Sequence, residues 1–599
     1  MITLGIHDGH CASACLMIEG RLVALVAEER FTRLKNDHGY PKNAIEFCLN
    51  AAGITAGEVD QIAFASSHMH TFSVGLRALA TFDDHTWLRI QREYWYPKIY
   101  RGEDHPEVFL EIWRERFSSE GHFYDFSAVE STPNGLFDKT LSRSIRLEGV
   151  KRHLNVPTDK IKFYDHHSCH AYYAFYGSHI RANNTMVYTL DGGGDATTSS
   201  LFQYVSGELR ELTRSNAVDV ARIYRQVTHL LGMKLGEHEF KVMGLAPYVT
   251  DREFEKSRQI FDDMFQIEND LIVYAPGRKL KDLHFALRDA FEGHRFDGIA
   301  AAVQYMCEES VTKWFEHTQR KYESCHAVFS GGVAMNVKLN MHLADLPVLN
   351  DFYVCPSPTD DTLCAGACYM AAAEKGAEER NKLQPIRDPY LGPEFGRSEV
   401  RESIVKSDAK EYSIIKENIS DAEVAVMLSE GKVISRSCGK MEFGQRALGN
   451  RSILADPRTE ETVERINRQI KYRDFWMPFA PVILEENAQD YIEAPNMSIQ
   501  RPYMMIGAKT TLKGQKELKG AIHKSDLTAR PQVLSRSQNS RYYDIVKSFG
   551  DLTGTPALLN TSFNLHGEPI VCTPTDAIST FSRSDLDVLL MEGFALIRR

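Results

Sequence analysis

Two histidines four residues apart are the clearest candidate for chemistry in this chain. His166 and His170 lie at the start of a predicted helix, and this spacing places both imidazoles on one helix face, where they can bind one metal ion. Asp191, on a glycine-rich turn, and Asp360, at a predicted loop end, are expected to face the same cleft. Two imidazoles and two carboxylates suit Fe(II), Mn(II) or Zn(II), with open positions for a substrate oxygen. The alternative is a histidine cluster that caps the helix or fills a core.

Two glycine-rich turns are candidates for nucleotide binding. Gly192 and Gly193 follow a predicted strand, and Gly331 and Gly332 separate another predicted strand from a helix that begins near Asn336. Backbone N–H groups without side chains can approach a phosphate closely, and a helix N-terminus favours an anion. The alternative is a packing turn, because strand–glycine–helix turns are common in α/β proteins.

Two charged residues in the stretch 236–247 are a third candidate. Glu239 and Lys241 alternate with apolar neighbours. They are interpreted either as nucleotide contacts from a cleft wall or as a solvated charged edge.

The C-terminal part of the chain sets cations beside glycine and serine. Residues 439–456 contain Arg446 and Arg451 among glycines and small residues. The further candidates along the chain are Lys471, Arg473, Arg530, Ser562 and Asn564. Arginine offers bidentate geometry to phosphate and lysine adds a point charge, so the group suits a polyanionic ligand. The alternative is that each cation is an ordinary surface residue.

The elements that must position these residues form a duplicated α/β plan. Each copy is a strand, a turn and a hairpin: residues 2–6, 14–18 and 21–27 in the first, and 186–190, 200–205 and 208–212 in the second. Residues 191–195 are predicted to be the turn of the second copy. Two such halves around a cleft are the plan of the actin and sugar-kinase superfamily.

Two further segments mark the domain organisation. An aromatic-rich insertion near 67–160 is predicted to be helical, and its rings are interpreted as a local core or as a wall of an acceptor pocket. Residues 374–400, charged and proline-bearing, are predicted to be a linker. We therefore expect an N-terminal domain over 1–385 and a C-terminal α/β domain over 386–599.

Composition limits the function classes. The 599 residues carry a net charge of −11, which argues against a broad nucleic-acid surface. No run of 18 apolar residues and no signal peptide occurs, so we expect a cytoplasmic protein without a membrane segment. Eleven cysteines without a Cys-x-x-Cys pair indicate reduced buried thiols. The oligomeric state stays open, with a homodimer as one option.

The motifs together resemble the O-carbamoyltransferases of antibiotic and nodulation-factor biosynthesis over nearly the whole chain. The resemblance rests on eight segments: residues 9–14, which include His10, and 28–33, 166–171, 241–248, 330–334, 441–444, 446–452 and 559–564.

The resemblance implies a fold and a two-step activity. The N-terminal domain would resemble the protein that transfers threonylcarbamoyl to tRNA, and the C-terminal domain would be YrdC-like. Carbamoyl phosphate and ATP, with Mg(II), would form carbamoyl-adenylate and pyrophosphate in the C-terminal domain. The carbamoyl group would then pass to a hydroxyl of a small natural product in the N-terminal domain, which would hold Fe(II).

The resemblance also assigns residues to these steps. The metal ligands would be His166, His170, Asp191 and Asp360, and the carbamoyl-phosphate and adenylate cluster would be Arg446, Lys471, Arg530 and Ser562. His10 matches a histidine implicated in transfer. The alternatives are an enzyme of the tRNA threonylcarbamoylation type and a non-enzymatic actin-like nucleotide-binding regulator. Hydrogenase maturation is disfavoured because its zinc Cys-x-x-Cys motifs are absent.

Overall fold

A computed structural model describes the fold of most of the chain. It describes residues 1–471, 473–494, 496 and 499–599, without the side chains of residues 410 and 412. The chain forms two compact units. Unit 1 comprises Met1–Thr32 and Asn36–Pro385, and unit 2 comprises Arg33–Lys35 and Ile386–Arg599.

Unit 1 contains two five-stranded sheets with the same plan. Its strands are β1 Ile2–His7, β2 Ser13–Ile18, β3 Arg21–Ala27, β4 Gln61–Ala65, β5 Ile161–Tyr164, β6 Thr185–Gly194, β7 Thr197–Val205, β8 Glu208–Ser215, β9 Phe265–Glu268, β10 Leu271–Tyr274, β11 His326–Ser330 and β12 Asp351–Val354. The strand orders are β3-β2-β1-β4-β5 and β8-β7-β6-β11-β12. In each sheet three antiparallel strands are followed by two strands parallel to the first. The predicted duplication is therefore confirmed.

The glycine-rich turn of the second copy differs from its prediction. β6 continues as far as Gly194, which pairs with Thr197, and the ladder shifts register between Leu190 and Gly194. The turn is confined to Asp195 and Ala196. The sequence prediction of a turn over 191–195 was wrong in extent, because glycines within a bulge can stay extended while they leave the regular ladder.

Helices cover these sheets. Those of unit 1 are α1 Glu29–Thr32, α2 Lys42–Ala52, α3 Thr71–Gly75, α4 Ala78–Thr81, α5 Asp84–Ile90, α6 Glu107–Arg116, α7 Lys139–Leu154, α8 His166–Gly177, α9 Val220–Leu230, α10 Glu239–Leu245, α11 Asp251–Arg258, α12 Phe285–Ala290, α13 Phe296–Lys321, α14 Val337–Ala344, α15 Leu363–Ala373 and α16 Ala377–Lys382. α15 packs against both α8 and β1. A Cβ on Gly366 would lie 2.0 Å from the Cys169 carbonyl oxygen, so only glycine permits that approach of α15 to α8.

The aromatic insertion is helical, as predicted. Trp113 is fully buried and stacks on Phe117 with ring centroids 4.4 Å apart, while Phe126 meets both rings edge-on. These rings belong to the core that also holds the first sheet. The local-core interpretation is confirmed for them, and a role in the acceptor pocket stays a prediction.

Unit 2 is built on a mixed eight-stranded sheet. Its strands are β13 Ser413–Glu417, β14 Ile434–Ser437, β15 Arg451–Ala455, β16 Ala480–Leu484, β17 Ile492–Glu493, β18 Ala508–Thr510, β19 Thr528–Ala529, β20 Gln532–Leu534, β21 Ala557–Ser562, β22 Val588–Met591 and β23 Phe594–Arg598. The large sheet has the order β13-β23-β22-β14-β15-β21-β16-β20, and β17, β18 and β19 form a small second sheet.

Helices and two apolar clusters complete unit 2. Its helices are α17 Arg397–Lys406, α18 Ala409–Tyr412, α19 Asp421–Ser429, α20 Glu461–Ile466, α21 Ala488–Tyr491, α22 Leu512–Glu517, α23 Ser540–Thr553 and α24 Pro574–Ser582. Side chains of successive residues along β15 and β21 enter different clusters, as Ile453 and Leu454 show. The boundary between Pro385 and Ile386 lies within the predicted linker over 374–400, which also contains α16 and the start of α17.

Two predictions from composition can be compared with the structure. All eleven cysteines are free thiols, and only Cys325 is not buried, so the prediction of reduced buried thiols is confirmed. Within the described part of the chain, no helix is both long enough and apolar enough to cross a membrane.

Candidate metal centre and anion pocket

The two histidines lie on the first turn and a half of α8. Asp165 is the N-cap residue, and its carboxylate accepts a hydrogen bond from the Ser168 backbone N–H. The cap starts the helix at His166, so that His166 and His170 point from one face, and both are buried. The predicted helical placement of the pair is confirmed.

The four candidate ligands converge. His166 Nε2 lies 3.3 Å from Asp191 Oδ2 and 3.5 Å from Asp360 Oδ1. His170 Nε2 lies 3.6 Å and 3.4 Å from the same two oxygens. One donor atom from each of the four residues lies within 4.8 Å of every other. These separations match neighbouring ligands around an ion that binds nitrogen and oxygen at about 2.0–2.2 Å, so the group fits a divalent metal.

Two serine hydroxyls hold the other nitrogen of each imidazole. Ser66 Oγ lies 2.9 Å from His166 Nδ1, and Ser330 Oγ lies 3.3 Å from His170 Nδ1. Because the serines occupy Nδ1, each ring directs Nε2 towards the carboxylates. Such outer contacts fix the tautomer and orientation of metal-binding histidines.

The charges in this group depend on one another. Burial opposes a charged His166, but Asp360 and Asp191 outweigh burial and raise its pKa to about 9. Burial likewise opposes the Asp191 carboxylate, but its close contacts with His166 and then His170 hold its pKa well below the usual value. His170 Nε2 is buried and makes no hydrogen bond within the described residues. A bound cation would satisfy these donor atoms together.

His10 lies beside this group in a buried cluster of histidines. Its ring centroid is 5.9 Å from that of His38. Burial lowers the pKa of His10, with Asp360 the strongest opposing charge, so its imidazole is neutral near pH 7. His10 Nε2 is buried without a hydrogen bond within the described residues. His7 Nε2 lies 3.1 Å from the His10 carbonyl oxygen, and because that oxygen can only accept, this nitrogen of His7 carries the proton.

Of the glycines predicted to bind nucleotide, Gly331 and Gly332 have packing roles in this structure. Gly331 has φ +96°, and a Cβ there would lie 2.3 Å from the Leu190 carbonyl oxygen. A Cβ on Gly332 would lie 2.8 Å from Asp191 Oδ1. Gly193 has φ +132°, whereas a Cβ on Gly192 would meet nothing within 4 Å. Nucleotide binding at these glycines stays a prediction.

The other candidates in unit 1 are also held in place. Asn336 caps α14 by accepting from the Leu339 N–H, and its side-chain amide pairs with that of Gln304. Glu239 begins α10 and accepts from the Gly236 N–H, and burial raises its pKa. Lys241 lies in the first turn of α10 and is partly buried. Both residues lie on this helix, and a nucleotide contact by Glu239 and Lys241 stays a prediction.

The predicted cations of unit 2 also come together. Lys471 is buried at the end of a π-helical turn, and its Nζ lies 2.8 Å from Asn564 Oδ1 and 3.2 Å from Ser562 Oγ. Burial, and then the neighbouring Arg473, hold the pKa of Lys471 well below its usual value. Arg473 itself donates to Thr561 at 3.0 Å.

The guanidinium groups beside them repel one another. Burial, followed by Arg530 and Arg473, lowers the pKa of Arg446 well below its usual value. Burial and Arg530 lower the pKa of Arg473 to about 9, and burial lowers that of Arg530 to about 10. Among the described residues, no carboxylate forms an ion pair with Arg446, Arg473 or Arg530. Partly buried arginines without counter-charges, beside the buried Lys471, form a pocket suited to an anion.

Family models match both units of the chain. The description of one is carbamoyltransferase N-terminus, and it matches residues 2–369. The description of the other is carbamoyltransferase C-terminus, and it matches residues 425–598. The chain belongs to the carbamoyltransferase family. It is therefore a transferase enzyme, and the resemblance drawn from the sequence motifs is confirmed.

Similar proteins come from bacteria and archaea. The nodulation protein NolNO of Sinorhizobium fredii is 30% identical over 601 residues, which cover 99% of this chain and 79% of NolNO. The nodulation protein NolO of Bradyrhizobium diazoefficiens is 34% identical over 448 residues, covering 73% of this chain and 79% of NolO. The protein MJ1051 of Methanocaldococcus jannaschii is 30% identical over 605 residues, covering 99% of both chains.

Similarity to solved structures is weak. The activator of the 2-hydroxyisocaproyl-CoA dehydratase from Clostridium difficile, with bound ADPNP, gives a TM-score of 0.31 at 14% identity and covers 64% of this chain and 97% of the activator. A glucokinase from Streptomyces griseus gives 0.28 at 10% identity and covers 63% and 100%. At these scores neither likeness carries an argument.

Several supporting residues of this carbamoyltransferase were not found from the sequence. Arg146 on α7 is fully buried and donates to both carboxylate oxygens of Asp8 at 2.8 Å, and to the Ser66 carbonyl oxygen at 2.9 Å. Tyr124 also donates to Asp8 at 2.8 Å. This network fixes the backbone of the serine that contacts His166. Its hydrogen bonds join residues that are 80 to 138 positions apart along the chain, and no local motif marks them.

In unit 2, a buried carboxylate shapes the loop that carries Arg446. Glu442 Oε1 accepts from the backbone N–H groups of Leu448, Asn450 and Arg451 at 2.7–3.2 Å. The Arg451 guanidinium donates to backbone carbonyl oxygens, including that of Gly439 at 3.1 Å. Of the two arginines that the motif sets among glycines, Arg446 therefore faces the anion pocket and Arg451 is structural.

Proposed function

We propose that the chain is an ATP-dependent O-carbamoyltransferase with two half-reactions. Carbamoyl phosphate, water and ATP give carbamoyl-adenylate, pyrophosphate and phosphate. The carbamoyl group then passes to a hydroxyl of a small natural product, and AMP is released. One observation carries the proposal: the same carbamoyltransferase chain contains both kinds of site. Unit 2 has the cation pocket around Arg446. Unit 1 has the four candidate metal ligands beside the neutral His10.

Adenylate formation is assigned to unit 2, taken as a YrdC-like domain over residues 386–599. Arg446, Lys471 and Arg530 would bind and neutralise the phosphates of both substrates, with ATP entering as its Mg(II) complex. Ser562 and Asn564 lie within hydrogen-bond distance of Lys471 and would orient it. Positioned cations lower the barrier of such a condensation because they stabilise charge that develops on phosphate oxygens.

Transfer is assigned to unit 1, residues 1–385, taken as an actin and sugar-kinase type domain. A divalent metal, proposed as Fe(II), would be held by His166, His170, Asp191 and Asp360 and would supply Lewis acidity towards a substrate oxygen. His10 would accept the proton of the acceptor hydroxyl at Nε2, which is buried and free of hydrogen bonds within the described residues. A neutral imidazole near pH 7 can take that role, and the lowered pKa of His10 keeps it neutral.

The test separates the two half-reactions in one variant. His10→Asn should release pyrophosphate from ATP and carbamoyl phosphate at the normal rate and should fail to carbamoylate any acceptor. Pyrophosphate release and acceptor mass are measured on the same sample, with a library of hydroxylated small molecules. His85→Asn, an exposed histidine on α5, is the matched control and should retain both activities. Retained carbamoylation by His10→Asn would exclude the catalytic role, and joint loss of both activities would indicate a structural one.

The two other functions considered from the sequence are less well supported. Membership of the carbamoyltransferase family favours neither tRNA threonylcarbamoylation nor a non-enzymatic nucleotide-binding regulator. Pyrophosphate release that depends on carbamoyl phosphate would distinguish the proposed enzyme from the regulator, and a tRNA binding assay would test the first alternative.

A further inference from the structure

Arg225 is a cation near the metal group that the sequence analysis did not identify. It lies on α9, and the charges that act on it include Glu239, Asp191 and Asp360. Arg225 is also the cation that acts most strongly on His10. One end of the guanidinium reaches the turn before α10, where a Cβ on Gly236 would lie 3.6 Å from Arg225 Nη2. The side chain therefore lies beside both groups of the transfer site.

The Arg225 guanidinium is unpaired. Its Nε is inaccessible to solvent and donates to no acceptor, and among the described residues no carboxylate lies within ion-pair distance of it. The centroid of the Trp87 ring lies 5.8 Å from Arg225 Cζ. Burial lowers the pKa of Arg225, although the side chain as a whole is only partly buried. The buried Nε of this guanidinium stays without an acceptor unless a ligand supplies one.

The structure contrasts Arg225 with its neighbour on the same helix. Arg222 Nε donates to the Gly192 carbonyl oxygen at 2.9 Å, and Arg222 Nη1 lies 3.3 Å from Asp219. Arg222 is thus satisfied by the protein alone. Arg225 lies three residues later on the same helix and has no such partner. The carboxylates of Glu239, Asp191 and Asp360 nevertheless contribute to its electrostatic environment. It is placed to attract an anion rather than to serve as a counter-ion within an ion pair.

We propose that Arg225 binds the phosphate of the carbamoyl-adenylate in the transfer site, an inference that rests on the proposed function. His10 takes the hydroxyl proton, the acceptor oxygen bonds to the carbamoyl carbon, and the bond from that carbon to the phosphate oxygen breaks. The electron pair leaves with AMP, whose phosphate gains charge. A guanidinium that donates to this phosphate stabilises the leaving group, whereas a neutral acceptor alcohol needs no cation.

The phosphate contact can be isolated in the full-length chain. Arg530→Ala removes a cation of the unit 2 pocket, so nucleotide binding that persists in this variant reports on unit 1. AMP and adenosine are titrated by calorimetry into Arg530→Ala and into Arg530→Ala with Arg225→Met. The second substitution should weaken AMP binding about 10- to 100-fold. It should change adenosine binding by less than about 3-fold, since adenosine lacks the phosphate but shares the rest of the site.

Matched variants define the outcome. In the same background, Arg225→Lys should restore part of the AMP affinity, and Arg210→Met, which removes an exposed cation of β8, should leave it unchanged. Equal weakening of AMP and adenosine would make Arg225 structural and overturn the proposal. Unchanged AMP affinity, or no AMP binding to Arg530→Ala, would overturn it as well. Failure of the proposed function would appear elsewhere, as wild-type protein that releases no pyrophosphate from carbamoyl phosphate and ATP.

Discussion

Gly194→Ala is the substitution whose effect on the metal group can be worked out most directly. Gly194 ends β6, and a Cβ there would lie 2.2 Å from Cγ, 2.3 Å from Nδ1 and 2.5 Å from Cδ2 of His166. Carbon atoms in ordinary contact lie about 3.5 Å apart, so the imidazole would have to move by roughly 1 Å. Metal–ligand distances tolerate only about 0.2 Å. The new methyl group should therefore displace one of the four ligands.

The imidazole has little freedom to give way. Its Nδ1 is held by Ser66 at 2.9 Å, and the His166 backbone N–H donates to Asp195 at 2.9 Å. Loss of an outer-shell contact alone typically costs 10–100-fold in metal affinity, so displacement of a ligand should cost on the order of 100-fold or more. That loss corresponds to about 2.7 kcal/mol or more of binding free energy.

The assay is a titration of chelator-treated protein with Co(II), followed by visible absorption. Gly192→Ala is the matched control, because its Cβ would meet nothing within 4 Å on the same strand, and it should bind Co(II) like the wild type. Pyrophosphate release by unit 2 should persist in both variants, which excludes global unfolding. Co(II) affinity within 3-fold of wild type in Gly194→Ala would refute the reasoning that these four residues form the metal site.

Three further outcomes are expected. Ser66→Ala, which frees His166 Nδ1, should weaken Co(II) binding about 10–100-fold without affecting pyrophosphate release, and an unchanged titration would contradict the orienting role of Ser66. Arg530→Ala should abolish pyrophosphate release that depends on carbamoyl phosphate, so normal release would remove Arg530 from the pocket. Glu442→Leu leaves three buried backbone N–H groups without their acceptor and should destabilise unit 2 by about 3 kcal/mol or more. Chemical denaturation measures this loss, and a change below about 1 kcal/mol would contradict it.

Local spacing was sufficient to predict several parts of the fold and the metal group. The hairpins of the two sheets are short-range patterns, and the pair His166 and His170 needs only a helix to converge. Asp191 and Asp360 could be added to the predicted metal ligands because the ends of strands and loops in the two copies were expected to face the same cleft. Their convergence within 4.8 Å agrees with that expectation.

The supporting residues could not be predicted in this way. Ser66 precedes His166 by 100 residues, and Arg146 reaches Asp8 across 138 residues. Such contacts depend on how α7 packs on the first sheet, which no periodicity reports. Arg225 was missed for a related reason. Its residue type and helical position are ordinary, and only the absence of a partner in the folded unit distinguishes it from Arg222.

The charges of the two clusters support separate places for the two half-reactions. The metal group sets the carboxylates of Asp191 and Asp360 side by side, and before a cation binds they would repel a polyphosphate. The cluster of Arg446, Lys471 and Arg530 has the opposite sign and suits ATP and carbamoyl phosphate together. The proposed carbamoyl-adenylate carries a single phosphate charge, which one guanidinium at the metal group could balance. Arg225 supplies one unpaired guanidinium there, which is why its removal should affect AMP and spare adenosine.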